Sequence, residues 1–350
     1  MSSTAHVPAH DAHDPAGVPA THREVRLAAR PEGAFSVDNL RVVEASVPVA
    51  GPGQVLVRNR FMSVAAVMLT LMRDSADLPM PLYVPGEVLW GPAIGEVITS
   101  DAPGLNPGDL VEHSAGWREY AALDAADAQS LDLDSLPDVA AHLSQGFTAW
   151  LGVVRAAEVR PGDTVFVSGA AGGVGSLAGQ FARLHGAARV IGSTSSQRKA
   201  DQLTKELGYD AVVLRGAEPI VDQLREAAPE GIDAVFDNVG GEQLTAALAL
   251  ANRGARIAVV GMLSTQASGG TSTPTEIDTA TLVSRGITLR GIAGIDHLDA
   301  LPQWAEEFGR GLREGTLTVP HVRLSGIEEA PRALDELLRG RHVGAVLVEL

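Results

Sequence analysis

The chain carries two rhythms of apolar and polar positions, and one gives way to the other near residue 140. Up to there the apolar runs are short, and EVRLAAR (24–30) and QVLVRNRF (54–61) read as strands. Glycine and proline break the stretch repeatedly, as PEG at 31–33, GPG at 51–53 and LNPGD at 105–109. That punctuation predicts a small β-rich domain. Beyond it, strands alternate with helices. Thr164–Ser168 is a bare apolar run, as expected of a strand covered on both faces of a parallel sheet. Leu177, Phe181 and Leu184 recur at i, i+4 and i+7, the apolar face of a helix. Arg189–Gly192, Ala211–Leu214, Asp233–Phe236, Ala255–Val260 and Ile287–Ile292 read as further strands. Ser195 or Ser196 caps a helix that runs to Leu207 and stops at Gly208. The alternation predicts an α/β fold, a doubly wound parallel sheet beside the β-rich domain. Near the end, EEAPRALDELLRG (328–340) predicts an amphipathic helix returning to the first domain, and HVGAVLVEL a strand that need not belong to the parallel sheet.

Composition narrows the function. The 350 residues suffice for two domains, and 45% are hydrophobic. With 43 Asp and Glu against 27 Lys and Arg, the net charge is −16, so neither nucleic acid nor an anionic membrane is expected as a partner. There is no cysteine, which excludes thiolate catalysis and cysteine-ligated zinc and fits a cytoplasmic location. No apolar stretch approaches the roughly 20 residues of a membrane span. Residues 1–22 are rich in Ala, Pro and His without the apolar centre of a signal peptide, and read as a solvated, disordered tail. His6, His10, His13 and His22 in it invite a metal reading, but composition favours the tail.

The candidate chemistry sits in TVFVSGAAGGVGS (164–176). Gly169-x-x-Gly172-x-x-Gly175 is looser than the dinucleotide fingerprint, and alone it fits a ligand-free tight turn equally well. Its place, between the first strand and first helix of a parallel sheet, argues for a phosphate-bearing cofactor. A helix N-terminus there offers unpaired N–H groups, and small residues let a diphosphate reach the backbone. After the second strand an NAD enzyme usually carries an acid for the ribose 2′-hydroxyl. Here the segment is GSTSSQRK (192–199), with hydroxyls from Ser193 onward and two cations but no acid. A 2′-phosphate wants that chemistry, so the reading is NADP(H). Lys199 is the first candidate partner, Arg198 belongs equally well on an exposed helix face, and Arg215 can approach from the side.

SGAAGGVGS, GWREYA (116–121), FDNVGG (236–241) and VVGMLS (259–264) together resemble the zinc-independent medium-chain dehydrogenase/reductase superfamily, and within it the leukotriene B4 dehydrogenase, prostaglandin reductase and alkenal double-bond reductase branch. The resemblance implies a GroES-like catalytic domain from residues 23–141 and 311–350, a Rossmann domain from 142–310, and a homodimer. It also implies NADPH-dependent reduction of the C=C bond of small hydrophobic enones or enals. By the same resemblance Gly172, Gly173, Val174 and Gly175 hold the pyrophosphate and Lys199 the 2′-phosphate. Thr148 lies near the carboxamide, Asn238 touches the cofactor, and Val260–Gln266, including Gly261, Met262, Leu263 and Ser264, runs along the nicotinamide ribose.

The departures fall mostly on the substrate side. The family's S-V-D-P-Y-M-R becomes Ser63-Val-Ala-Ala-Val-Met-Leu69, whose Val64, Ala65, Ala66, Val67 and Leu69 form either an apolar pocket wall or ordinary core. Arg215 stands where tyrosine is common, and His342 replaces a cofactor-binding asparagine. Ser63 stands where zinc alcohol dehydrogenases have their first cysteine, so no metal is expected. An ene reduction needs a donor at the carbonyl oxygen and a proton for the α-carbon. Ser63, Tyr83 and His113 are the protein candidates, and water is another. A quinone oxidoreductase, which needs no carbon protonation, and a non-catalytic NADPH-binding partner protein remain as alternatives.

Overall fold

A computed structural model of the chain describes residues 17–75, 80–268 and 274–350, with the side chains of 266–268 left aside. His6, His10 and His13 of the expected tail, and the Gln266 side chain, lie outside the described residues. The tail was expected to reach residue 22, but Thr21 already opens a strand and His22 is buried in it. His22 Nδ1 accepts the Tyr120 amide at 3.2 Å, a partner 98 residues away that no local pattern announces.

The first part of the chain is β-rich. It comprises β1 (Thr21–Leu27), β2 (Leu40–Ser46), β3 (Gln54–Val64), α1 (Val67–Leu71), β4 (Ala93–Ser100), β5 (Leu110–His113), β6 (Tyr120–Asp124) and β7 (Gln129–Ser130). Two short helices, α2 (Val139–His142) and α3 (Gly146–Leu151), lead out of it. The strand–helix alternation then runs β8 (Thr164–Val167), α4 (Gly175–Leu184), β9 (Arg189–Thr194), α5 (Gln197–Glu206), β10 (Ala211–Leu214), α6 (Ile220–Ala227), β11 (Ile232–Asp237), α7 (Gly241–Leu250) and β12 (Ala251–Val259). It continues through α8 (Leu263–Ser268), α9 (Thr279–Arg285), β13 (Thr288–Gly291) and α10 (Leu301–Glu314). The chain closes with β14 (His321–Ser325), α11 (Ala330–Leu338) and β15 (Ala345–Glu349).

Six strands form one parallel sheet in the order β10-β9-β8-β11-β12-β13. The order reverses between β8 and β11, and the crevice at such a switch point is where doubly wound sheets bind ligands. Val165, Phe166 and Val167 are fully buried, as a strand covered on both faces must be. Val165 and Val167 join the core under α3 and α4, whereas Phe166 joins the opposite core with Ile191 and Ile257. Leu177 and Phe181 fill the buried face of α4 as expected. Leu184 does not: at the helix end it is exposed, and Ala178 and Ala182 complete that face instead.

The second sheet runs β14-β15-β3-β4-β5-β7, with β6 also on β3, and β1 pairs with β2 apart from it. The last strand thus pairs antiparallel with β3, and α11 packs beside it, as the amphipathic pattern predicted. The division expected at residue 310 falls inside α10. Trp304, Phe308 and, past the helix, Leu317 pack in the core of the parallel sheet. No helix among the described residues is long and apolar enough to cross a membrane.

Candidate functional site

The turn after β8 is shaped by contacts that exclude side chains. Gly169 has φ +62°, a left-handed conformation that favours glycine. A Cβ on Gly175 would lie 2.4 Å from the Gly169 carbonyl oxygen and 2.6 Å from Ala170 Cα, both backbone atoms. On Gly173 it would lie 2.0 Å from Gln145 Oε1. The turn is anchored from below by buried polar groups. The Ser168 hydroxyl donates to Asp237 Oδ1 at 2.7 Å and accepts the Asn238 amide at 2.8 Å. Asn238 returns a bond from Nδ2 to the Ser168 carbonyl at 2.8 Å. Asp237 also accepts the Gly240 amide, and burial raises its pKa.

Ser193 supports the turn from the neighbouring strand. Its hydroxyl accepts the Gly169 amide at 2.9 Å and donates to Gln243. The side chain is therefore committed inside the protein. Tyr209, which sequence reasoning passed over, props α4 from behind: its hydroxyl donates to the Gly175 carbonyl at 2.6 Å. The ring fits only because Gly179 and Gly192 lack side chains, where a Cβ would lie 2.3 and 2.9 Å from it. Those two glycines were the available signal.

What the scaffold leaves open is as telling. The Ala171 carbonyl accepts from Gly344 at 2.9 Å and receives no bond from the Gly175 amide. The amides of Val174 and Gly175 then have no acceptor among the described residues. Both point from the start of a 10-residue helix, where the dipole favours an anion. An incoming anion there meets free N–H groups as well as the helix dipole.

At the end of β9 the cations gather. Lys199 is buried, and its Nζ donates to Ser195 Oγ at 2.9 Å and to the Gly340 carbonyl at 2.7 Å. Burial, then the nearby Arg198 and Arg215, lower its pKa. Arg198 Nη2 donates to the Arg341 carbonyl at 2.8 Å, and Arg215 stands exposed just past β10. Among the described residues none of the three meets a carboxylate. In a chain of charge −16, such a cluster is fitted to an outside anion such as a phosphate monoester. Ser196 occupies the helix N-cap but makes no side-chain cap bond, and Ser195 serves Lys199 instead.

The remaining candidates spread along the crevice. A Cβ on Gly261 would lie 2.7 Å from the Asn238 carbonyl oxygen, so the β12 exit hugs the β11 exit. Met262 and Leu263 are exposed, and the Ser264 amide donates to Val239 at 3.0 Å. Thr148 lies half-buried on α3, which packs on α4. His342 Nε2 pairs with Glu336 at 2.8 Å in the loop that crosses back over the glycine turn. A hollow of about 300 Å3 lies beside Arg198, Arg341 and His342. A larger one of about 530 Å3, between Asp132–Leu136 and α10, touches none of the coenzyme candidates, so chemistry rather than size marks the site.

The three residues expected to act on substrate are placed differently. The Ser63 hydroxyl is buried and donates to the Leu143 carbonyl at 3.0 Å. Tyr83 donates to the Trp90 carbonyl at 2.7 Å, and burial raises its pKa. His113 Nδ1 accepts the Ala115 amide at 3.0 Å, leaving the proton on a buried Nε2 with no partner among the described residues. Burial, with Arg118 adding to it, lowers its pKa to about 4, so it is neutral at pH 7. In the segment after Ser63, Val64 and Leu69 are buried while Ala65, Ala66 and Val67 remain partly exposed. No cluster of three or more His, Asp or Glu suited to a metal occurs among the described residues.

Comparison with known proteins agrees with this architecture. Residues 23–131 match the family described as the N-terminal domain of oxidoreductase, and residues 173–308 the family described as zinc-binding dehydrogenase. An NADPH-dependent curcumin reductase of Escherichia coli (strain K12) is 32% identical over 333 residues, covering 93% of this chain and 95% of that protein. A 2-alkenal reductase (NADP(+)-dependent) of Nicotiana tabacum is 31% identical, covering 87% and 90%. The crystal structure of CurA in complex with NADPH from Vibrio vulnificus superposes with a TM-score of 0.86 at 29% identity, covering 93% and 98%. The chain belongs to the zinc-independent medium-chain dehydrogenase/reductase family.

Proposed function

We propose that the protein is an NADPH-dependent reductase of the C=C bond of α,β-unsaturated carbonyl compounds. The observation that carries the coenzyme half is that, among the described residues, the amides at Val174 and Gly175 have no acceptor and the cations Lys199, Arg198 and Arg215 have no carboxylate partner. The names of the curcumin and alkenal reductases carry the substrate class. When bound, the coenzyme supplies a hydride to the β-carbon, and the α-carbon takes a proton. The chain's part is to hold the diphosphate at the α4 N-terminus, the 2′-phosphate at Lys199, and the nicotinamide half along Asn238 and Gly261–Ser264. The partly exposed Ala65–Val67 and Met262 suit a small hydrophobic substrate. The test is consumption of NADPH with a simple enone and detection of the saturated ketone by mass spectrometry. Consumption of NADH at the same rate, or no saturated product, would remove the proposal.

One observation favours a quinone oxidoreductase as second reading. Ser63 and Tyr83 already donate to backbone carbonyls and His113 is buried and neutral, so none is free as an acid for carbon, and quinones need no carbon protonation. Turnover of quinones alone in the same assay would select it. We further propose that the enzyme works in the cytoplasm, to be checked by cell fractionation. We also propose that it forms a homodimer through the free edge of β13. All four residues of that strand are exposed, and Val283, Ile295 and Leu298 stand exposed near it in the chain. Light scattering giving a monomer mass would reject the dimer.

A further inference from the structure

Gln145 lies at the point where the β-rich part of the chain passes into α3, and its side chain touches both sides of the junction. Nε2 donates to Ser63 Oγ on β3 at 3.4 Å. Ser63 in turn donates to the Leu143 carbonyl, so the serine and the carboxamide together hold the exit segment onto the strand. The other end of the carboxamide rests against the glycine turn. Oε1 fills the space that a Cβ on Gly173 would take, 2.0 Å from it, with Cδ at 3.1 Å. The next two amides along the turn, Val174 and Gly175, have no acceptor among the described residues.

These contacts cannot all persist beside an anion. A diphosphate accepting from Val174 and Gly175 arrives next to Gln145 Oε1, and two electron-rich oxygens then face each other. Half a turn about the terminal torsion of the glutamine exchanges oxygen for NH2 at little torsional expense. Nε2 then donates to the anion, a charge-assisted bond, and Oε1 takes the Ser63 proton from the Leu143 carbonyl. The Gln145–Ser63 contact is thus kept with its direction reversed, Ser63 giving up the Leu143 carbonyl, while the turn side changes from acceptor to donor.

We propose that Gln145 is a ligand of the coenzyme on its diphosphate and nicotinamide-ribose side, and that its carboxamide turns over when that group binds, carrying the signal to Ser63. The inference rests on the coenzyme reading given above. Gly173 is glycine, in this view, because any side chain there would evict Gln145 from the turn.

Calorimetric titration of the full chain with NADP+ and with adenosine 2′,5′-bisphosphate separates the two halves of the ligand, because the bisphosphate keeps the 2′-phosphate and lacks the nicotinamide side. Gln145→Glu is expected to weaken NADP+ by about tenfold or more and Gln145→Leu by about fivefold, with the bisphosphate held within about twofold in both. Unchanged NADP+ affinity in both variants overturns the proposal. So does an equal loss of both ligands, which would make Gln145 a scaffold residue. If the parent chain binds neither compound, the coenzyme reading fails on its own account and the variants are not what decides it.

Discussion

The two halves of the crevice treat polar groups in opposite ways. On the parallel-sheet side, among the described residues, the amides at Val174 and Gly175 have no acceptor and the cations around Lys199 meet no carboxylate. Beneath them, the side chains of Ser168, Asp237, Asn238, Ser193 and Tyr209 are bonded inside the protein and brace the turn. On the barrel side the candidate catalytic side chains all make bonds inside the protein. Ser63 and Tyr83 tie down backbone carbonyls, and His113 accepts one amide in a buried site. The difference separates groups that await a ligand from groups that hold the fold. A free donor on a rigid base is prepared for binding, whereas a donor already spent on a buried carbonyl is costly to divert.

The sharpest way to break that comparison is to spoil the base rather than the free donors. Gly175→Ala places a methyl 2.4 Å from the Gly169 oxygen and 2.6 Å from Ala170 Cα, and neither is a flexible side chain. The turn must open, so NADP+ affinity is expected to fall by more than about 100-fold. Circular dichroism should keep the parent's helical signal. Titration with parent-like affinity would mean that the glycine turn is not the diphosphate site.

On the barrel side the largest effect expected is on stability and its pH dependence. His113 has a folded pKa of about 4 against 6.5 unfolded, so on acidification the unfolded chain takes the proton first. The stability tied to neutral His113 is complete above pH 6.5 and is lost as pH falls toward 4, on the order of 3 kcal/mol across that window. His22, also lowered by burial, adds a loss of the same sign in parent and variant alike. Urea unfolding of His113→Gln from pH 7 to 4 is expected to give a shallower slope than the parent. Parallel slopes would show that His113 is solvated and able to titrate, which would return it to the catalytic candidates.

How much of this was legible in the residues follows the same divide. The strand–helix rhythm, and the glycine turn at the exit of the first parallel strand, were readable because each depends on neighbours within a few positions. Tyr209 was not, because its meaning lies in the missing side chains of Gly179 and Gly192, which the chain brings together only when folded. Gln145 had no local signal at all, since Ser63 and Gly173 reach it from opposite parts of the sequence. The tail boundary erred for the same reason, His22 being buried by a pairing with Tyr120. Leu184 fitted the helical period but sits where α4 runs out past its core, so periodicity alone overcounted the buried face.

Lys199→Ala sharpens the coenzyme side by testing what the cations are for. Lys199 Nζ bonds the Gly340 carbonyl and Ser195, both neutral, and so should be recruited by a phosphate monoester. Loss of one charge-assisted contact is expected to weaken NADP+ by about tenfold to 100-fold and to change NAD+ by less than about twofold. Equal weakening of both coenzymes would assign Lys199 to the loop it holds rather than to the 2′-phosphate.

The smallest effect, and the cleanest check on the barrel side, is Tyr83→Phe. The Tyr83 hydroxyl is spent on the Trp90 carbonyl at 2.7 Å, and its ring meets Trp90 edge-on with centroids 5.4 Å apart. The variant keeps the ring and its packing in the core that α1 and β3 share, and gives up one hydrogen bond. A loss of about 1 kcal/mol in unfolding free energy is expected, with kcat/KM for an enone within about twofold of the parent. A hydroxyl that donated to the substrate carbonyl would behave otherwise, lowering kcat by about 100-fold or more while stability stayed put. The ratio of the two losses therefore decides whether this tyrosine is a brace or a donor. A brace leaves the carbonyl oxygen of the substrate to be met by coenzyme hydroxyls or by water.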